Sequence, residues 1–159
     1  MTPGPADTIR TDHTNRGDGG AKLLAQLSVL QRKEPVQTNS IVSVVDDDVS
    51  LRAALKGLLR SVGLRVEVFG SAEEFLASGR VADTSCLVLD VRMPGISGLD
   101  LQAQLVASGA AVPIIFISAH GEEDTRRQAL EAGAIGFLQK PFSDDALLNA
   151  IAKVVALPP

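Results

Sequence analysis

Neither tryptophan nor tyrosine occurs in this sequence, and aromatic residues make up only 3% of it. Stacking of bases on exposed rings is therefore a poor route to nucleic acid here. Basic charge is also missing: 15 Lys and Arg against 19 Asp and Glu leave a net charge of −4, with no surplus to neutralise a phosphate backbone. Direct nucleic-acid binding is not expected. A single cysteine excludes an internal disulfide framework, and because Cys86 lies in the apolar run Cys86-Leu87-Val88-Leu89 it reads as a small core residue in a reducing compartment. No apolar run approaches the roughly 20 residues that span a bilayer, and MTPGPADTIRTDHTNRGDGG at the start lacks a signal-peptide core. The expectation is a cytoplasmic chain with no membrane partner.

What is present suits one compact domain: 159 residues, 45% hydrophobic and 21% charged. Residues 1–39 are rich in Thr, Asp, Gly, Pro and Asn and read as a disordered arm. One weakly helical stretch interrupts it, Ala21 to Lys33, where Leu23, Leu24, Leu27 and Leu30 recur at helical spacing. It would dock a partner, cap the domain, or remain a loosely ordered tail.

From residue 40 the pattern changes to short apolar runs alternating with helix-period segments. Strands are predicted over Ser40 to Val45, Arg65 to Phe69, Cys86 to Leu89, Pro113 to Ile117 and Ile135 to Leu138. The first, third and fourth are nearly all apolar, as parallel strands covered on both faces are. Helices are predicted over Val49 to Val62, Ala72 to Ala77, Leu99 to Ser108, Glu122 to Ala132 and Asp144 to Val155. Ser71-Ala72-Glu73-Glu74 reads as a capping box, acidic first turns follow Gly121 and Ser143, and Gly63, Gly109 and Gly133 stand just past three helices. Five β-α units joined by right-handed crossovers make a doubly wound α/β sheet with helices on both faces, which binds ligands beyond the carboxyl ends of its strands.

The polar residues that fall just after each strand therefore matter most. Asp46, Asp47 and Asp48 follow the first, Asp90 the third, Ser118 and His120 the fourth, and Lys140 the fifth. Carboxylates gathered at one edge repel one another unless a cation intervenes, and an all-oxygen set suits Mg²⁺. A divalent cation, an ammonium and a hydroxyl around one carboxylate is what phosphoryl transfer needs, since charge accumulates on the equatorial oxygens. Each part alone is ordinary: Asp48 reads better as a helix cap, and His120 as a packing residue at a buried edge. Their joint occurrence at four strand ends is the signal.

These residues bring the chain close to a known family. Val44-Val45-Asp46-Asp47-Asp48, Leu89-Asp90-Val91-Arg92-Met93-Pro94-Gly95, Ile117-Ser118-Ala119-His120 and Phe137-Leu138-Gln139-Lys140-Pro141-Phe142 resemble the response-regulator receiver domains of two-component signalling over roughly residues 40–155, with residues 156–159 as a short tail. The resemblance implies a flavodoxin-like sheet in the order 2-1-3-4-5, and Asp90 as phosphoacceptor. It implies Mg²⁺ held by Asp46, Asp47, Asp90 and the backbone carbonyl of Arg92. Ser118 and Lys140 would contact the phosphoryl group, Ser118 and Phe137 would form the switch pair, and Arg92 and His120 would tune the lifetime of the acyl phosphate. Family members carry a cis peptide at the position of Lys140-Pro141. Gly136 departs from the pattern, standing where an acidic residue is frequent.

The implied partners are a sensor histidine kinase or phosphotransfer protein upstream, and a protein target on the face from the fourth strand to the last helix. The chain ends at Pro159, so a stand-alone relay acting through another protein is expected rather than an enzyme. Competing readings are a phosphate sink related to DNA-binding regulators, a phosphate-independent adaptor, and a small phosphatase. Arg92 speaks against the last, because it stands where a second Asp would serve as general acid.

Overall fold

The computed structural model describes residues 40–157. The expected arm at residues 1–39, with its helix over Ala21 to Lys33, lies outside the described residues. Five strands, β1 (Ile41–Val45), β2 (Arg65–Phe69), β3 (Thr84–Asp90), β4 (Ile114–Ser118) and β5 (Gly136–Gln139), pair in parallel in the order β2-β1-β3-β4-β5. Between and after them run α1 (Val49–Ser61), α2 (Ala72–Ala77), α3 (Gly98–Ala107), α4 (Glu123–Glu131) and α5 (Asp144–Ala152). The sheet is the doubly wound α/β architecture predicted from the alternation of apolar runs.

Strand periodicity divides the core into two layers. Val42, Val44, Cys86, Val88, Ile115 and Ile117 pack with Leu55 and Leu59 of α1 and Leu147 and Ile151 of α5. Val45, Leu87, Leu89 and Phe116 pack on the other face with Phe75 of α2, Leu101 and Leu105 of α3 and Ala129 of α4. Cys86 is fully buried, and burial pushes its thiol up to about 12, so it is an inert core residue. One buried polar pair crosses between strands: Thr84 Oγ1 donates to the Arg80 carbonyl at 2.8 Å, which leaves Ser43 Oγ as the donor of the 2.7 Å bond to Thr84.

The element ends differ from the sequence reading in instructive ways. β3 starts two residues earlier than predicted and takes in Asp90, while β4 and β5 each run one residue later, so Asp90 and Ser118 are the last residues of their strands rather than the first beyond them. Pro113 lacks an N–H and contributes only its carbonyl, which accepts from Leu87 at 2.8 Å. The box at Ser71 is looser than predicted: Ser71 caps Glu74, but the Glu74 carboxylate accepts from Gly70 rather than from Ser71. The full reciprocal box forms at Ser97 and Asp100 instead. α5 ends at Ala152, and Val155 returns to the core from the turn that follows.

Gly98 fixes how α3 leaves the acceptor strand. A Cβ there would lie 2.2 Å from the Asp90 carbonyl oxygen and 3.0 Å from Val91 Cα, both rigid backbone. Gly57, exposed in α1, has nothing within 4 Å. Gly98→Ala is therefore expected to destabilise the domain by about 2–3 kcal/mol through forced backbone displacement. Gly57→Ala should stabilise it by about 0.5–1 kcal/mol. Urea unfolding of the two variants beside the parent measures both signs, and equal effects would contradict the close approach at Gly98.

Candidate functional site

β1 and β3 are neighbours at the centre of the sheet, so the residues at their carboxyl ends meet. Carboxylate oxygens of Asp46, Asp47 and Asp90 lie within 4.8 Å of one another. Asp46 is completely buried and Asp90 nearly so, while Asp47 is exposed. Every polar group of Asp46 is engaged: its N–H donates to the Phe69 carbonyl, its carbonyl accepts from Arg52 Nη1 at 2.7 Å, Oδ1 accepts from the Asp48 N–H at 2.8 Å, and Oδ2 accepts from Lys140 Nζ at 2.9 Å. Lys140 reaches this point from the end of β5 and also stands 3.6 Å from Asp90 Oδ1. The Lys140-Pro141 peptide bond is cis.

Burial and the neighbouring charges together set the protonation behaviour. Burial is the main cause that raises Asp90 from 3.8 to about 6; the Asp46 carboxylate adds to it, Lys140 and a hydrogen bond from the Arg92 backbone pull it back, and Asp47 adds a smaller push. Burial lowers Lys140, but the hydrogen bond and charge of Asp46, followed by Asp90, outweigh it and hold the ammonium above its usual range. Lys140 pairs with two of the three carboxylates, Asp46 and Asp90, so the cluster retains negative charge in a confined edge. Its donors are all oxygens, one pair buried and one open to solvent, which fits a small hard dication.

Other predicted residues are placed elsewhere. Asp48 is the cap of α1, its Oδ1 accepting from Ser50 and Leu51. Ser118 Oγ is turned to its own loop, donating to the His120 carbonyl at 2.8 Å and accepting from the His120 N–H at 3.0 Å. His120 is exposed rather than packed at a buried edge, because the chain turns outward directly after β4. Phe137 is half-buried, its ring 6.3 Å from that of Phe116. The Arg92 side chain points away to Glu122, Nη2 to Oε1 at 2.5 Å.

Sequence reasoning missed three groups that touch this edge. Arg52 holds the Asp46 carbonyl from six residues along, on the first turns of α1. Glu73 accepts from the Ile96 N–H at 3.2 Å and so ties α2 to the loop after β3. Glu122 sits at the cap position of α4 without capping it; the Arg92 hydrogen bond first, then Thr125, hold its carboxyl below the usual range. Arg52 lies on the helix after β1, but Glu73 and Glu122 reach partners 23 and 30 residues away, which no local pattern reveals.

Comparison with known proteins shows the family. The sequence matches the response regulator receiver domain family over residues 42–152. It is 53% identical to nodulation protein W of Bradyrhizobium diazoefficiens over 114 residues, 72% of this chain and 50% of that one. It is 45% identical to the response regulator protein TmoT of Ectopseudomonas mendocina over 130 residues, 82% of this chain and 59% of that one. The solved structure of the response regulator StyR superposes with a TM-score of 0.69 at 51% identity, covering 73% of this chain and 59% of that one. The chain belongs to the response regulator receiver domain family. It spans about half the length of the curated relatives it matches. Among the described residues no helix is long and apolar enough to cross a membrane.

The raised Asp90 predicts a pH dependence whose sign is unusual for a carboxylate. With a folded value of about 6 above 3.8, the native state holds the proton longer than the unfolded chain, so this group's contribution to stability falls as pH rises from about 4 to 6. In metal-free buffer at pH 7.5, Asp90→Asn should stabilise the domain by about 1–2 kcal/mol, allowing for water at the open edge of the site. The gain should disappear below about pH 4. Denaturant titrations at both pH values measure it, and an unchanged or lowered stability at pH 7.5 would contradict the electrostatic account.

Proposed function

We propose that this chain is a phosphoryl-accepting receiver in which Asp90 takes a phosphoryl group and thereby changes which protein it binds. The observation that carries the reading is the lysine-bridged carboxylate cluster, with Lys140 Nζ 2.9 Å from Asp46 and 3.6 Å from Asp90. An Asp90 oxygen attacks phosphorus in line; the O–P bond forms as the N–P bond of a donor phosphohistidine breaks, and the departing imidazole takes its proton from solvent. Lys140 is the ammonium proposed to pair with a phosphoryl oxygen. The buried carboxylate of Asp46 keeps that ammonium in place.

Mg²⁺ is the cation proposed for the cluster, held by Asp46, Asp47, Asp90 and the backbone carbonyl of Arg92; bound there it would neutralise charge on the transferring oxygens. Ser118 is the proposed hydroxyl donor, and its bond to His120 has to be exchanged before it can reach Asp90. Ser118 and Phe137 form the proposed switch, because each is in phase on its strand with Phe116. Phosphorylation adds about −1.5 to −2 charges at this edge, enough to bias such a pair. Arg92 and His120, the latter exposed beside the site, are the residues proposed to govern access of water to the acyl phosphate.

A sensor histidine kinase or phosphotransfer protein in the cytoplasm is the proposed donor. The surface from β4 through α5 is the proposed face for a protein target, in keeping with the absence of a basic field for nucleic acid. The role is signal storage rather than turnover. Incubation with acetyl phosphate and Mg²⁺, followed by intact mass measurement, should add one phosphoryl mass to the parent and none to Asp90→Ala. Labelling of both proteins alike, or of neither, would overturn the reading.

A further inference from the structure

The fourth helix is held to the rest of the domain very unevenly along its length. Ala129, near its C-terminal end, is its one buried residue among those described, and the Ala129 carbonyl accepts from the buried side chain of Gln102 at 3.0 Å. Gln102 belongs to α3, so this bond pins the two helices together inside the core. Breaking it is costly on the Gln102 side, whose buried amide would lose its partner, while the Ala129 carbonyl would keep the Ala134 N–H at 3.0 Å.

The N-terminal end of α4 is different. Residues 121–124 are all exposed, and Glu122 accepts no helix N–H at the cap position. Its carboxylate turns instead to the loop after β3, taking Arg92 Nη2 at 2.5 Å and Thr125 Oγ1 at 3.1 Å on the same oxygen. Both partners of the ion pair are more than half exposed. Close by, a cavity of about 350 Å³ separates the loop from the helix, lined by Arg92, Val91, Met93, Ser97, Leu99 and Thr125. The start of α4 is thus moored to the loop after β3 by a charge pair alongside open space, while on its other side the Gln139 side chain lies against Gly121, where a Cβ would come within 2.5 Å of Gln139 Oε1.

Arg92 itself begins at the site. It stands two residues past Asp90, in the loop that leaves β3, so the side chain leaves from the rim of the acceptor and only its direction carries it away. We propose that Glu122 is a positioning residue that holds the Arg92 guanidinium away from Asp90, so that a group added to Asp90 must win Arg92 from Glu122. Winning it releases the start of α4, which then turns about the Gln102–Ala129 pin. This rests on the assignment of Asp90 as acceptor and adds the contact that couples it to α4.

The charges favour such an exchange. An exposed pair is worth little and is screened by salt, whereas a phosphoryl group offers a planar guanidinium two oxygens and more charge than one carboxylate. Glu122 therefore sets a threshold that the unmodified acceptor, already shared with Lys140, does not cross. Neutralising Glu122 removes the competitor without removing Arg92.

Beryllofluoride with Mg²⁺, a phosphoryl mimic, tests this in a cycle of four proteins: parent, Glu122→Gln, Arg92→Ala and the double variant. Glu122→Gln should bind about two- to five-fold tighter than the parent, the range expected when an exposed ion pair no longer competes. The double variant should bind no tighter than Arg92→Ala, since the gain passes through the guanidinium. In the parent, amide signals of residues 122–125 should shift on binding while that of Gln102 Nε2 stays. No gain from Glu122→Gln, or the same gain in the Arg92→Ala background, would overturn the latch while leaving the acceptor assignment intact. Binding by the parent that persists in Asp90→Ala, or no binding by the parent, would overturn the acceptor assignment and the latch together.

Discussion

Three carboxylates within 4.8 Å of one another, facing a single ammonium, are the constraint on which this structure turns. Left to itself such a cluster would spread apart. It cannot, because Asp46 directly follows β1 and Asp90 ends the neighbouring β3, and Asp46 is fixed at its N–H, its carbonyl and both carboxylate oxygens. Gly98 removes the remaining slack by laying the start of α3 on the backbone of Asp90. Burial first, and the neighbouring Asp46 carboxylate second, raise Asp90, and relief of that cost is what a cation or a change at Asp90 offers.

Strand parity sorts the site into two functions. Asp46 is in phase with Val42 and Val44, Asp90 with Cys86 and Val88, and Lys140 with Leu138, all on the layer covered by α1 and α5. Ser118 and Phe137 are in phase with Phe116, on the layer covered by α2, α3 and α4. The charged cluster and the proposed switch pair thus belong to opposite faces of one sheet and meet only at its edge. A change at Asp90 can reach the second layer through the ends of β3 and β4, where Val91 N–H donates to the Ile117 carbonyl, or through the Arg92–Glu122 pair.

Much of this was legible in the sequence, for definable reasons. Apolar runs such as Cys86 to Leu89 are long enough to announce parallel strands, and glycines at positive φ such as Gly63, Gly109 and Gly133 mark where helices stop. Strand ends then predicted which polar residues converge, and the cluster of Asp46, Asp47, Asp90 and Lys140 follows from that rule alone. Side-chain direction does not follow from it. The hydroxyl of Ser118 bonds to its own loop and Arg92 points to Glu122, because rotamers at a solvated edge answer to local partners rather than to strand order. Contacts across 23 and 30 residues, from Glu73 to Ile96 and from Arg92 to Glu122, depend on how loops from different units come to lie side by side. The ends of β3, β4 and β5 differ by one or two residues for a simpler reason: polar residues such as Thr84, Ser118 and Gln139 can continue a ladder beyond its apolar run, while four of the helices stop one to three residues earlier than their pattern, within the ordinary spread of helix ends.

The central claim is that charge confinement singles out one carboxylate of the three. The most direct measurement traps the phosphorylated protein with borohydride, which reduces an aspartyl phosphate to homoserine, and locates the product by tandem mass spectrometry of its peptides. The account predicts conversion at position 90 alone, with Asp46 and Asp47 unchanged. Conversion at position 46 or 47, or phosphorylation with no reducible acyl phosphate, would contradict it.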